Sequence, residues 1–303
     1  MPKTLLIIGS GALACLFAAR ISRGGQSVYL TDNWVKGMEA IRKKGVWLVE
    51  GNQTTTHEVT VLDRSNSILQ FSHTLILIKA YQTSEAVQSV RNSISEDGTL
   101  LTLQNGLTVR GKIVEILGEE RVLSGITTCA AQTVTPGVVC HNGGNTIRIG
   151  SHPFAKDYQK IFTNAGFDVF VEPKIKEMIW EKALLNSAIN PMGALLGLTN
   201  GELKNNPDAL GLMKSLLDEG CRIARSEGIE LDEDYLGKRL ITVLNETASN
   251  QCSMLQDILN GRQTEIDDIN GALVEIAARN EIPTPVQATI MRLVKAIERK
   301  VGI

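Results

Sequence analysis

Thr4-Leu-Leu-Ile-Ile-Gly-Ser-Gly-Ala-Leu-Ala-Cys-Leu-Phe-Ala-Ala-Arg20 is the stretch whose reading decides the fold. Leu5 to Ile8 is a short unbroken apolar run, the pattern of a parallel strand covered on both faces. Gly9-Ser10-Gly11 follows, and then Leu13, Leu16, Phe17 and Arg20 recur at helical spacing. Strand, glycine turn and helix in that order make a G-x-G-x-x-G/A match a dinucleotide-binding hypothesis. In it Gly9 permits the tight turn, Gly11 lets the backbone approach a pyrophosphate, and Ala14 is small enough to pack the helix on the strand. The N–H groups at the positive end of that helix, around Ala12 and Leu13, then face the phosphates. Two other readings exist: a packed strand-turn-helix with no ligand, and a secretory signal suggested by Lys3 and Ala-Leu-Ala-Cys. The Gly-Ser-Gly interruption, the strand that follows and the lack of a polar cleavage region argue against export.

The chain has 303 residues, too many for one typical core, so two domains are expected. Hydrophobic residues make up 43%, charged residues 21%, and the net charge is -2, which excludes a strongly basic nucleic-acid or membrane-surface binder. No stretch approaches the roughly 20 apolar residues of a membrane span. Five scattered cysteines without C-x-x-C disfavour a disulfide framework or zinc site and fit a reducing cytoplasm. The four histidines, His57, His73, His141 and His152, show no metal-ligand spacing and are expected on the surface or in loops.

Gln26 to Asp32 reads as the second strand of a first βαβ unit. Asp32, 23 residues beyond Gly9, stands where an acidic side chain accepts from an adenosine ribose; a solvated strand-end carboxylate or a helix cap is the other reading. Asn33 to Lys44 has a helical pattern. Val46 to Val49 and Glu58 to Leu62 read as a strand pair. Thr74 to Lys79 is a buried parallel strand ending in a lysine that either faces the ligand crevice or snorkels to solvent. Thr99 to Leu103 is the next strand, with Gln104-Asn105-Gly106 as a turn on the same sheet edge as Gly9 and Lys79. Arg121 to Gly125 and Ile126 to Ala131 continue the sheet, and Val138 to Ile149 reads as a hairpin about Asn142-Gly-Gly-Asn145.

From about Ile175 the pattern is helical to the end, which places a boundary near 173: residues 1–173 as a Rossmann-type α/β domain and 174–303 as an all-α domain. Lys182, Asn186 and Asn190 recur at i, i+4 and i+8, one polar stripe flanked by Ile179, Ala183, Leu185 and Ile189. A lysine in such surroundings either reaches solvent or has a function, since an unpaired buried ammonium is costly. Pro191 is expected to end this helix. Further helices are expected at Asn206–Gly228, Asp232–Ser249 and Ser253–Leu259. Thr264 to Asp267 reads as a capping box starting a helix to Arg279, and Thr284-Pro285 opens the last one. Glu265 alone reads as a carboxylate favoured by a helix dipole.

In order and spacing these segments resemble the ketopantoate reductase (2-dehydropantoate 2-reductase) family. The matching pieces are Gly9-Ser-Gly-Ala-Leu-Ala14, Ile78-Lys-Ala-Tyr-Gln82, Gln104-Asn-Gly106, Trp180 to Pro191, Asn200-Gly-Glu-Leu203, Ser253 to Ile258 and Thr264 to Gly271. The resemblance implies a Rossmann domain joined to a helical domain with the substrate between them. It implies Lys182 as general acid and Glu265 as the carboxylate near this lysine and the cofactor ribose. It also implies cofactor contacts at Lys79, Asn105 and Ala131, and substrate contacts at Asn105, Lys182, Asn186, Asn190, Asn200, Asn250 and Ser253. The reaction implied is NAD(P)H-dependent reduction of 2-dehydropantoate to (R)-pantoate. Alternatives are a D-2-hydroxyacid dehydrogenase acting on bulkier 2-keto acids and a non-catalytic nucleotide sensor, for which Lys182 and Glu265 would be superfluous.

The family's usual cofactor is NADPH, held by an arginine just after the second strand. The matching residue here is Asn33, preceded by Asp32. A carboxylate repels a 2′-phosphate, so NADH is expected to serve at least as well. The partner expected is a small 2-keto acid, without nucleic acid, membrane or metal, and a homodimer is left open.

Overall fold

The computed structural model describes residues 4–63 and 69–303, so Lys3 of the signal-like reading lies outside the described residues. The chain forms two compact units, one of residues 1–104 with 109–175 and one of 105–108 with 176–303.

In the first unit the order is β1 (Leu5–Ile8), α1 (Ala12–Arg23), β2 (Val28–Thr31), α2 (Val35–Lys44), β3 (Val46–Glu50), β4 (Gln53–His57), β5 (Thr60–Val61) and β6 (Phe71–Ile76). There follow α3 (Thr83–Val90), β7 (Ile94–Thr102), α4 (Val109–Leu117), β8 (Val122–Thr127), β9 (Ala130–Thr135), β10 (Val138–Gly143), β11 (Thr146–Gly150), α5 (Ala155–Asn164) and β12 (Asp168–Glu172). Eight strands make one sheet in the order β12-β11-β8-β7-β6-β1-β2-β5, and β4-β3-β10-β9 make a second. β1 is parallel to both β2 and β6, and all four of its residues are fully buried, as its apolar run requires. Helix α1 is buried continuously from Ala14 to Ile21. Its side chains share one core with Leu5 and Ile7 of the large sheet and with Val46, Leu48 and Val139 of the small one. A helix covered on both sides is apolar nearly all round, as this one is.

The second sheet corrects three strand readings. Glu58 to Leu62 does not pair with Val46 to Val49: β3 pairs with β4, and β5 pairs with β2 of the large sheet. β4 is Gln-Thr-Thr-Thr-His, almost wholly exposed, so it has no apolar alternation to betray it. Val138 to Ile149 is not a hairpin, because β10 lies in the small sheet and β11 in the large one. The chain changes sheets at Gly143 and Gly144, at φ 121° and 71°, where a Cβ on Gly144 would collide with the Thr128 carbonyl. The hairpin is instead β9–β10, turned at Pro136-Gly137. Ala131 thus belongs to the small sheet.

His73 is also placed differently from expectation. It is buried in β6 with its Nε2 3.3 Å from Asp157, since the strand begins three residues before Thr74.

The second unit is helical: α6 (Ile175–Leu196), α7 (Asn200–Asn205), α8 (Pro207–Ser226), α9 (Glu233–Glu246), α10 (Ser253–Leu259), a π-helical turn at Asp267–Gly271, α11 (Ala272–Arg279) and α12 (Pro285–Lys300). Trp180, Leu184, Ala188 and Met192 of α6 share a core with residues of α8, α9, α11 and α12. Pro191 does not end α6, which continues to Leu196. The capping box expected at Thr264 is not formed. The Thr264 hydroxyl donates to Glu298 Oε1 at 2.7 Å, while Asp267 pairs with Lys295. A true capping box stands at Thr199, whose side chain and Glu202 exchange hydrogen bonds at the start of α7.

Candidate functional site

On the first unit, Gly9, Asp32, Lys79 and Gln104 all follow the carboxyl ends of neighbouring parallel strands, β1, β2, β6 and β7. The chain leaves β1 toward β2 on one side and reaches β6 on the other, the arrangement at which open α/β sheets bind ligands. Gly9 has φ 129°, and a Cβ there would lie 2.6 Å from Leu77 O, so two independent constraints demand glycine. Gly11 is the N-cap of α1, with no side-chain cap and open space where a Cβ would stand. The first amides of α1 therefore keep no side-chain acceptor, which suits an anionic ligand. Cys15 donates its thiol to Ser10 O at 3.2 Å, and burial, with Asp32 nearby, pushes its pKa up to about 12.

Asp32 is held by three donors. Its Oδ2 accepts the backbone N–H and the hydroxyl of Ser10, at 2.7 and 2.5 Å, and its Oδ1 accepts the Asn33 N–H at 2.7 Å. Asn33 is exposed, and its Nδ2 lies 3.3 Å from Glu85 Oε1 in the first turn of α3. Asp32, Asn33, Ile78, Gln82, Glu85 and Ala86 line one small cleft. Glu85 was not singled out by sequence. The available signal was its place in the first turn of the helix that follows β6, the strand beside β1.

Gln104 also does more than mark a turn. Its Nε2 donates to Ile78 O at 2.9 Å and to Thr83 Oγ1 at 3.0 Å, fixing the loop that carries Lys79. Lys79 is half-buried and begins a short 3-10 turn, Ala80–Gln82.

On the second unit, Lys182 and Asn186 are half-buried and Asn190 is buried, all on α6. Cys252, the N-cap of α10, donates its thiol to Asn190 O at 3.2 Å, which ties the start of α10, where Ser253 stands, to α6. Burial pushes the Cys252 thiol up to about 11, so it stays a donor near neutral pH. Gly193 makes room, since a Cβ there would lie 2.8 Å from Cys252 Sγ. Asn200 is buried at the start of α7; its N–H donates to Asn250 O at 3.0 Å and its Nδ2 to Thr247 Oγ1 at 2.7 Å. Hydrogen bonds thus join the segments bearing Asn200 and Asn250, and those bearing Asn190 and Ser253. Asn200 Oδ1 is buried with no partner among the described residues. Glu265 is 7% exposed, just before the π-helical turn. Asn105 clusters with this second unit. Among the described residues no group of three His, Cys, Asp or Glu is placed to hold a metal ion, and no helix is long and apolar enough to cross a membrane.

Two family models match the chain, ketopantoate reductase PanE/ApbA over residues 5–153 and ketopantoate reductase PanE/ApbA C terminal over 174–298. The chain belongs to the ketopantoate reductase family. Relatives of this family named 2-dehydropantoate 2-reductase occur in Pyrococcus horikoshii, 36% identical with 97% of each chain covered, and in Pyrococcus abyssi, 33% identical with 98% and 99% covered. Among solved structures, D-mandelate dehydrogenase with NADH and anilino(oxo)acetate superposes with a TM-score of 0.95 over 99% of this chain and 100% of that one. At 24% identity that likeness shows the fold alone. The family's fold is the one described above, a parallel-sheet α/β unit and a helical unit.

Proposed function

We propose that this chain reduces 2-dehydropantoate to (R)-pantoate in the cytoplasm, with NADH serving at least as well as NADPH. The observation that carries the reading is end-to-end identity of 36% with a relative named for that reaction. Gly9, Ser10, Gly11, Ala12, Leu13 and Ala14 would hold the pyrophosphate of the dinucleotide, with Asp32 and Asn33 at its adenosine ribose and Lys79, Asn105 and Ala131 as further contacts. The uncapped start of α1 and the open space at Gly11 support that fit. The dinucleotide, when bound, supplies a hydride.

The remaining chemistry belongs to the chain. A ketone that receives hydride develops alkoxide charge on its oxygen. Lys182, as general acid, stabilises that charge and gives the oxygen its proton. Glu265 holds the ammonium in place and contributes to the cofactor ribose. Asn186, Asn190, Asn200, Asn250 and Ser253 orient the hydroxyl and carboxylate of the substrate, and the unpartnered Asn200 Oδ1 supports an accepting role.

The test is kcat/KM for 2-dehydropantoate against a panel of 2-keto acids, including 2-oxoisovalerate and phenylglyoxylate, with each dinucleotide. 2-Dehydropantoate is expected to lead by at least about tenfold, roughly 1.4 kcal/mol of discrimination. A bulkier aromatic or aliphatic acid in first place would make the chain a D-2-hydroxyacid dehydrogenase instead.

A further inference from the structure

Pro191 stands inside α6 and has no N–H to give to the carbonyl of Ser187, four residues earlier. Ser187 is fully buried, where an unpaired acceptor is costly. The missing donor comes from a distant part of the sequence: Asn270 Nδ2 lies 2.9 Å from Ser187 O. The same nitrogen donates to Gln287 Oε1 at 2.8 Å, so its two acceptors fix the orientation of the amide. Gln287 in turn gives its Nε2 to Leu216 O at 3.0 Å and its backbone N–H to Glu219 Oε2 at 2.8 Å. Asn270 and Gln287 are both fully buried, and Glu219 is nearly so. One side chain therefore ties α6 to α12 and, through Gln287, to α8.

Asn270 also lies in the π-helical turn that follows Glu265, whose carbonyl accepts the Ile269 N–H at 3.0 Å. Such turns re-aim side chains and recur at functional sites. Asn270 Oδ1 is buried with no partner among the described residues, so the contribution of this side chain lies in its two donors.

We propose that Asn270 is a positioning residue of the reaction. It replaces the hydrogen bond that Pro191 removes, and so fixes the Lys182-Asn186-Asn190 face of α6 against the turn that directly follows Glu265. The inference rests on Lys182 and Glu265 acting as proposed above. Without the bond, α6 bends at Pro191 or admits water there. A misplacement of about 1 Å is enough to cost about 10²-fold in rate.

The experiment is a double-mutant cycle in the full chain, with Asn270→Ala and Pro191→Ala. Asn270→Ala removes the donor, and Pro191→Ala restores to α6 its own N–H for Ser187. For all four proteins, kcat with 2-dehydropantoate, KM for the dinucleotide and amide hydrogen exchange across residues 183–196 are measured. Asn270→Ala is expected to lower kcat about 10- to 100-fold, leave the dinucleotide KM within about twofold and speed exchange in α6. Adding Pro191→Ala should recover most of the kcat and the protection. Unchanged kcat in Asn270→Ala, or a loss that Pro191→Ala does not reverse, overturns the proposal. If Asn270→Ala alone does not accumulate as folded protein, a folded and active double variant supports it and an unfolded one overturns it. Lys182→Ala is assayed alongside. Full turnover there would overturn the reading of the site and this inference with it, whereas lost turnover there beside unchanged turnover in Asn270→Ala would overturn the inference alone.

Discussion

Ser10 gives both its backbone N–H and its hydroxyl to one carboxylate oxygen of Asp32, at 2.7 and 2.5 Å. The residue between the two loop glycines is thereby tied to the end of β2. The acid proposed for the ribose thus also braces the loop proposed to hold the pyrophosphate, and Glu85 places a second carboxylate in the same cleft.

A dinucleotide with a 2′-phosphate would bring a charge of about -1.5 to -2 beside those two carboxylates, with no arginine at position 33 to pair it. NADH is therefore expected to give a kcat/KM at least equal to that of NADPH. Asn33→Arg combined with Glu85→Gln should shift the ratio toward NADPH by about tenfold or more. A wild type that prefers NADPH tenfold would show that this strand end does not select the cofactor.

Lys182→Ala is expected to lower kcat by about 10²- to 10⁴-fold, the range for a positioned proton donor. Dinucleotide affinity, measured by fluorescence titration, should stay within about twofold. Near wild-type turnover would assign the acid to another group.

Gly9→Ala combines a positive φ with a Cβ 2.6 Å from Leu77 O. The strained conformation alone costs on the order of 1–3 kcal/mol. Thermal melting should show a loss of at least that size and dinucleotide binding should weaken more than tenfold. Gly11→Ala meets no protein atom and should leave the melting temperature nearly unchanged while weakening the dinucleotide.

Glu50 joins the small sheet to α1 through Arg20 and Arg23, at 2.5 and 2.8 Å. Burial raises its pKa, but the hydrogen bonds and charges of the two arginines outweigh burial and hold it below the ordinary 4.5. A lowered carboxylate stabilises the fold above its unfolded pKa and loses that contribution as pH falls through the folded value. Stability measured by urea titration should therefore decline below about pH 4.5. Glu50→Gln should lower the neutral-pH plateau and flatten that acid decline, and an equally steep decline in the variant would assign it to other groups.

The apolar run at Leu5–Ile8, the glycines after it and the polar stripe at Lys182, Asn186 and Asn190 are legible directly, because each pattern repeats within a few residues. The same locality explains why Asn142-Gly143-Gly144-Asn145 reads as a hairpin turn. Its asparagines and glycines suit a tight turn and a crossing between sheets alike, and only the partners of the flanking strands, β10 and β11, separate the two.

By itself the sequence determined the fold class, the order of most elements, the glycine loop and the family. Those features rest on periodicity and on residues adjacent in the chain. Only the tertiary structure decided that β4 and β10 build a second sheet around β3, that Glu85 faces Asn33, and that α6 runs through Pro191. Each of these depends on groups far apart in sequence. A proline reads as a helix end because its missing N–H leaves a carbonyl unpaired. Nothing within α6 can show that Asn270, 83 residues from Ser187, supplies the donor that Pro191 lacks.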